Sequence, residues 1–158
     1  MDIKLRKVDE HNWRAVIALG VHVHQAEYVA SNLFSLAESY VKPGRCEHYP
    51  LAIYDRDNLT GFALYACDED NASIQWVKRF MIDKKYQGRG FGKPALLKLI
   101  ALIRESERCE EIKLTVTPEN AVARKLYESV GFFNTEDMHE GELIFSLRLD
   151  NHLRLAST

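Results

Sequence analysis

From Gln87 to Pro94 the chain reads Gln-Gly-Arg-Gly-Phe-Gly-Lys-Pro. Glycines let a backbone turn its N–H groups inward with no β-carbon in the way. A helix expected to start at Lys93 adds free N–H donors and a partial positive charge. Together these features suit a phosphate or pyrophosphate, and Lys84, Lys85, Arg89 and Lys93 add charge to the same turn. Two common phosphate motifs fail here. A P-loop needs Ser or Thr after its lysine, where this chain has Pro94. A dinucleotide fingerprint starting at Gly88 needs glycine at position 93, which is lysine. A glycine-rich connection with incidental lysines is the plain alternative.

A second segment, Asn120-Ala121-Val122-Ala123-Arg124-Lys125-Leu126-Tyr127-Glu128-Ser129-Val130-Gly131-Phe132, reads as a helix closed by Gly131. Asn120 fits a helix N-cap. Tyr127 shares a helical face with Ala123 and Val130, as a core aromatic with a tethered hydroxyl would.

Both segments resemble signatures of the GNAT family of N-acetyltransferases. Gln87-Gly88-Arg89-Gly90-Phe91-Gly92 is similar to its Gln/Arg-x-x-Gly-x-Gly/Ala coenzyme turn. The stretch from Asn120 to Phe132 is similar to its Asn-x-x-Ala-x-x-Leu-Tyr-x-x-x-Gly-Phe pattern. One helix plus one strand separates them, and the resemblance covers roughly residues 3–149.

The resemblance implies acetyl-CoA as co-substrate. Backbone N–H groups of Gln87, Gly88, Gly90, Gly92 and Lys93 would hold the pyrophosphate, with Arg89 in the same turn. The main chain of Phe80, Met81 and Ile82 would pair with the pantetheine arm like an added strand. Asn120 would touch that arm or cap its helix, and one side chain cannot fully do both. Tyr127 would donate to the departing sulfur, since a phenol with a pKa of ~10 is neutral at pH 7. The attacking amine must first lose a proton. Many family members carry a glutamate for this on the strand before the turn, but here the position is Trp76, between Gln75 and Val77. Glu27 and Glu38 are candidate carboxylates elsewhere, and attack by the minor free-amine fraction is the other route.

The acceptor is read from charge. Residues 21–41 carry Glu27 and Glu38, the turn at 68–71 carries Asp68, Glu69 and Asp70, and 132–142 carries Glu136, Asp137, Glu140 and Glu142. None of these segments contains Lys or Arg. An acidic surround favours a cationic acceptor. Gln25-Ala26-Glu27-Tyr28-Val29, Ser31-Asn32, Ala37-Glu38-Ser39 and Phe80-Met81-Ile82-Asp83 are similar to the bacterial spermine/spermidine (diamine) acetyltransferases, implying a polyamine acceptor and direct transfer in a ternary complex. An aminoglycoside-type drug, a protein N-terminus and a non-catalytic acyl-CoA sensor are the competing readings. The resemblance also admits a homodimer.

Apolar periodicity places the elements that must position these residues. Residues 3–8, 51–55, 60–67, 73–83 and 112–117 read as strands, and 12–20, 31–41, 93–105 and 120–130 as helices. Pro43-Gly44 lies beyond the second helix, and 132–134 with 143–149 form a closing hairpin near Glu140-Gly141. The front half is an antiparallel meander. The crossover through helix 93–105 makes strands 73–83 and 112–117 parallel. The expected class is α+β: a mixed, mostly antiparallel central sheet of about seven strands with helices on both faces, in one domain over 1–149 with 150–158 as a tail.

At 158 residues, 46% hydrophobic and 28% charged, the chain can bury a full core. A net charge of −2 disfavours nucleic acid. Cys46, Cys67 and Cys109 are far apart and odd in number, so the expectation is reduced thiols, no disulfide, no metal and a cytoplasmic location. His22-Val23-His24 lacks further ligands in register. No apolar run approaches membrane-spanning length.

Overall fold

A computed structural model describes residues 1–42, 44–105 and 108–149. The expected tail at 150–158 and Pro43 lie outside the described residues. In chain order the elements are β1 (Ile3–Lys7), α1 (Trp13–Ala18), a 3-10 turn (Val23–Gln25), α2 (Asn32–Val41), β2 (His48–Asp55), β3 (Asn58–Cys67), β4 (Ile74–Ile82), α3 (Gly92–Glu105), β5 (Glu111–Val116), α4 (Ala121–Ser129), β6 (Phe133–His139) and β7 (Glu142–Arg148).

These strands form one seven-stranded sheet ordered β1-β2-β3-β4-β5-β7-β6. The meander β1–β4 is antiparallel, β4 and β5 are parallel, and β7 returns antiparallel between β5 and β6. Helices cover both faces, as the alternating strand pattern requires. On one face Leu96, Leu99, Ile100 and Ile103 of α3 and Tyr127 of α4 bury against Ile53, Ala63, Val77, Leu114 and Phe145. On the other, Val16 of α1 packs with Ala52, Phe62, Leu64 and Met81, and Leu36 of α2 joins them. Each fully buried aliphatic side chain contributes about 1.5–3 kcal/mol, so the two layers hold the sheet rigidly. No described helix is long and apolar enough to cross a membrane.

Three local departures have physical causes. β6 continues to His139, past the expected Asn134, because an edge strand can place Glu136 and Asp137 in water and needs no apolar alternation. Its hairpin to β7 turns at Glu140 (φ 49°) and Gly141 (φ 83°), the left-handed pair that a two-residue turn demands. The expectation of reduced thiols is overturned at two positions. Cys46 and Cys67 form a disulfide with Cα atoms 5.7 Å apart. The β2–β3 register pairs His48 with Ala66, which brings the residues just outside that pair together despite 21 positions of sequence. Cys109 is the remaining, buried thiol.

Candidate active site

The β3–β4 register slips by one residue in the middle of the sheet. Leu64 opposes Arg79 while Tyr65 opposes Val77, so Lys78 is the extra residue of a bulge. Parallel pairing of β4 with β5 starts at Ile74–Glu111 and ends at Val77–Leu114, one residue before that bulge. Past it the two strands separate and a cleft of about 630 Å³ opens between them. Its walls include the main chain of Phe80, Met81 and Ile82, whose edge toward β5 pairs with no strand.

The glycine turn closes one end. Gly88 (φ 74°) and Gly90 (φ 82°) adopt the left-handed region, and a β-carbon at either would meet no atom within 4 Å. The space in front of them is open, as a ligand held by main-chain amides requires. Gln87, Gly88, Gly90, Gly92 and Lys93 all line the cleft. Arg89 does not; its guanidinium lies 5.9 Å from the Tyr86 ring centre. Asp83, 4% exposed, shapes the turn by accepting Gly20 N at 2.9 Å and Lys85 N at 3.1 Å. Gln87 donates to Ile82 O at 3.0 Å and exchanges two further hydrogen bonds with Gln25.

At the middle of the cleft α4 presents Asn120, Ala123 and Tyr127. Asn120 Oδ1 accepts Ala123 N at 3.3 Å, so this residue is the N-cap. Its amide nitrogen has no hydrogen-bond partner among the described residues, so capping the helix leaves that end of the side chain unengaged. Tyr127 is 8% exposed and meets Phe132 and Phe145 edge-on at 6.0 and 6.5 Å. Burial, and then the negative charge of Glu142, push its hydroxyl up to about 12. The phenol therefore stays protonated across the physiological range.

Glu27 and Glu38 part company. Glu27 is an exposed residue on the cleft rim. Glu38 stands outside the lining and pairs with Arg79 at 3.8 Å, while Arg79 Nε donates to Ser35 Oγ at 3.1 Å. The acidic turn at 68–71 is also outside the lining. Asp68 accepts Trp76 Nε1 at 2.7 Å, which holds its carboxyl below the usual range, and Glu69 accepts Arg45 N at 2.8 Å. From 132–142 only Glu142 reaches the cleft. β4 itself, IQWVKRFMI, carries no carboxylate. His22 and His24 stack at 5.7 Å, and among the described residues no group of three His, Cys, Asp or Glu converges on a metal site.

The sequence names two residues of the site only within longer segments and gives neither a role of its own. Gln25 sits in a 3-10 turn with no periodicity to mark it. Glu142 is one acid among four in its segment, set apart only by following the Glu140-Gly141 turn and so heading a strand. The arrangement offers amides for a diphosphate, an open strand edge for an extended amide-bearing arm, and a protonated phenol at the arm's far end. Those features fit an acyl-coenzyme A thioester.

The comparisons agree with this geometry. Residues 9–132 match the acetyltransferase (GNAT) family. The chain is 36% identical over 151 residues to a probable spermine N(1)-acetyltransferase of Bacillus subtilis subsp. natto, covering 91% of this chain and 97% of that protein. It is 35% identical, with the same coverage, to the spermine/spermidine N(1)-acetyltransferase of Bacillus subtilis strain 168. In fold it superposes on the aminoglycoside acetyltransferase AAC(6')-Ib solved with coenzyme A, with a TM-score of 0.79, 16% identity and coverage of 98% of this chain and 99% of that one. By its family match over residues 9–132 and its identity to these curated relatives over nearly its whole length, this chain belongs to the GNAT acetyltransferase family.

Proposed function

We propose that this acetyltransferase moves the acetyl group of acetyl-CoA to a primary amine of a polyamine, within a ternary complex. Acetyl-CoA supplies the acetyl group as a thioester. Main-chain amides of residues 88–93 bind its diphosphate, with Lys93 adding charge and the α3 N-terminus adding its dipole; the Gln87 N–H, expected to join them, is instead given to Asp83 O at 3.1 Å. The free edge of Phe80–Ile82 aligns the arm, and Asn120 donates its spare amide hydrogen. This alignment turns an encounter of two molecules into a positioned reaction, the largest rate term available without covalent catalysis.

Tyr127 holds its proton against the leaving sulfur. With the phenol near 12 and a thiol near ~8.5, complete transfer is uphill by about 5 kcal/mol. Its part is thus a hydrogen bond that stabilises the developing thiolate. None of the three cysteines lines the cleft, which agrees with direct transfer.

The observation that carries the reading is the juxtaposition of the open β4 edge, the glycine turn and Tyr127 in one cleft. The polyamine assignment draws on the two Bacillus relatives and on the carboxylates Glu27 and Glu142 at the acceptor end. The test is free-thiol release from acetyl-CoA with spermidine, spermine, short diamines, aminoglycosides and peptides. Turnover is expected on the polyamines. Coenzyme binding without turnover on any amine would make the protein a sensor, and preference for an aminoglycoside would replace the acceptor.

A further inference from the structure

A primary ammonium with a pKa of about 10.4 is almost wholly protonated at pH 7, so the transfer needs a proton acceptor near Tyr127. β4 carries no carboxylate. Glu38 is engaged with Arg79, and Glu27 is an exposed rim residue. One carboxylate remains in the cleft beside the phenol. Glu142 heads β7, next to the Val116–Leu143 pair that ends the β5–β7 ladder. There its Oε1 accepts Thr117 Oγ1 at 3.4 Å, which steers the side chain back over the C-terminal end of β5. That end, through Val116 and Thr117, is the cleft wall opposite β4, and Glu142 and Tyr127 line the same space.

We propose that Glu142 is the general base of the reaction, standing in for the carboxylate that β4 lacks. This inference rests on the acetyl-transfer reading above and names the proton acceptor within it. Glu142 takes one proton from the bound ammonium, directly or through one water. The freed lone pair forms the C–N bond as the C–S bond breaks. The leaving sulfur takes the second proton of the original ammonium, the third stays on the amide, and Glu142 releases its proton to solvent. The carboxylate is only half-buried, so solvent can take that proton. In that position the charge of Glu142 adds to burial in raising the Tyr127 hydroxyl.

The other charged or titratable side chains around it among the described residues are Glu27, Tyr28, Lys78, Arg79, Tyr86 and Lys93 of the same cleft, Tyr127 of α4 and His139 of β6. All of these remain in the test variants, so a change of pH profile reports Glu142.

The experiment compares full-length wild type, Glu142→Gln and Glu142→Asp. For Glu142→Gln, kcat/KM for the amine is expected to fall about a hundredfold at pH 7. The deficit should shrink toward pH 10, where free amine becomes abundant, and Glu142→Asp should recover part of it. Calorimetry should show coenzyme affinity unchanged. Without any ligand, ring-labelled tyrosine NMR should show Tyr127 of Glu142→Gln beginning to ionise at lower pH than in wild type. A deficit constant with pH, a parallel loss of coenzyme affinity, or full activity in Glu142→Gln would each overturn the assignment. Wild type that acetylates no amine would instead remove the reading beneath it, which the wild-type assay alone reveals.

Discussion

Gln25 and Gln87 are bound to each other by two reciprocal amide hydrogen bonds of 3.0 Å, although 62 positions separate them. Gln25 belongs to the turn that leads into Glu27 and Tyr28 on the cleft rim, and Gln87 opens the glycine turn proposed to hold the coenzyme. Nearby, Gly20 N donates to Asp83 Oδ1 at 2.9 Å and Lys84 N donates to Gly20 O at 2.8 Å. The rim segment around Gln25 and the glycine turn are therefore stapled into one body.

Gln25→Ala removes one side of the staple. A net hydrogen bond contributes about 1 kcal/mol, so a fivefold or larger rise in KM for the amine is expected. The Gln87 main chain stays in place, and the coenzyme dissociation constant should move less. Initial-rate kinetics with both substrates varied decides it; an unchanged amine KM would show that the staple has no influence on the acceptor side.

Gly90→Val places a branched side chain at φ 82° and into the open space before the turn. The left-handed conformation costs a β-branched residue roughly 1–2 kcal/mol, a tolerable loss for the fold. Coenzyme affinity, by contrast, should vanish from titration calorimetry. Retained affinity in a folded variant would count against a diphosphate at this turn.

Tyr127→Phe should lower kcat by tenfold or more while changing coenzyme affinity little, because the hydroxyl matters most once the sulfur is leaving. The same residue gives folding a pH dependence. An unfolded tyrosine ionises near ~10 and this one near about 12. The native state thus binds more protons in between, and stability falls as pH rises from 10 to 12. Denaturation of the wild type and of Tyr127→Phe across that window should show the slope reduced in the variant; equal slopes would mean that Tyr127 ionises freely.

The Cys46–Cys67 disulfide closes a segment spanning 21 positions. On loop entropy it stabilises the fold by about 3 kcal/mol. Reduction with a dithiol, or the Cys46→Ser/Cys67→Ser double variant, should lower the urea midpoint accordingly. Thiol counting in denaturant without reductant should give one equivalent, from Cys109. Three equivalents in the freshly purified protein would contradict the pairing.

Much of this molecule could be read from the chain. The period of Leu96, Leu99, Ile100 and Ile103 marks α3, and the alternation of Ile112, Leu114 and Val116 marks β5, because burial on one face imposes those periods. The left-handed glycines of the turn and the helix capped by Asn120 are legible too, because backbone conformation and a single helix are both local properties. The acceptor end is different. A carboxylate's role depends on what lies across space from it, so the sequence singles out Glu27 and Glu38 and leaves Glu142 as one acid among four in its segment. Folding pairs Glu38 with Arg79, ties Asp68 to Trp76, and leaves Glu142 beside Tyr127. The disulfide follows the same rule: strand register, a long-range property, decides which cysteines meet. Sequence determined the elements and the glycine turn, where the causes lie within a few residues. Tertiary structure decided the bulge at Lys78, the width of the cleft and the partners of each acid, because those follow from packing between segments far apart in the chain.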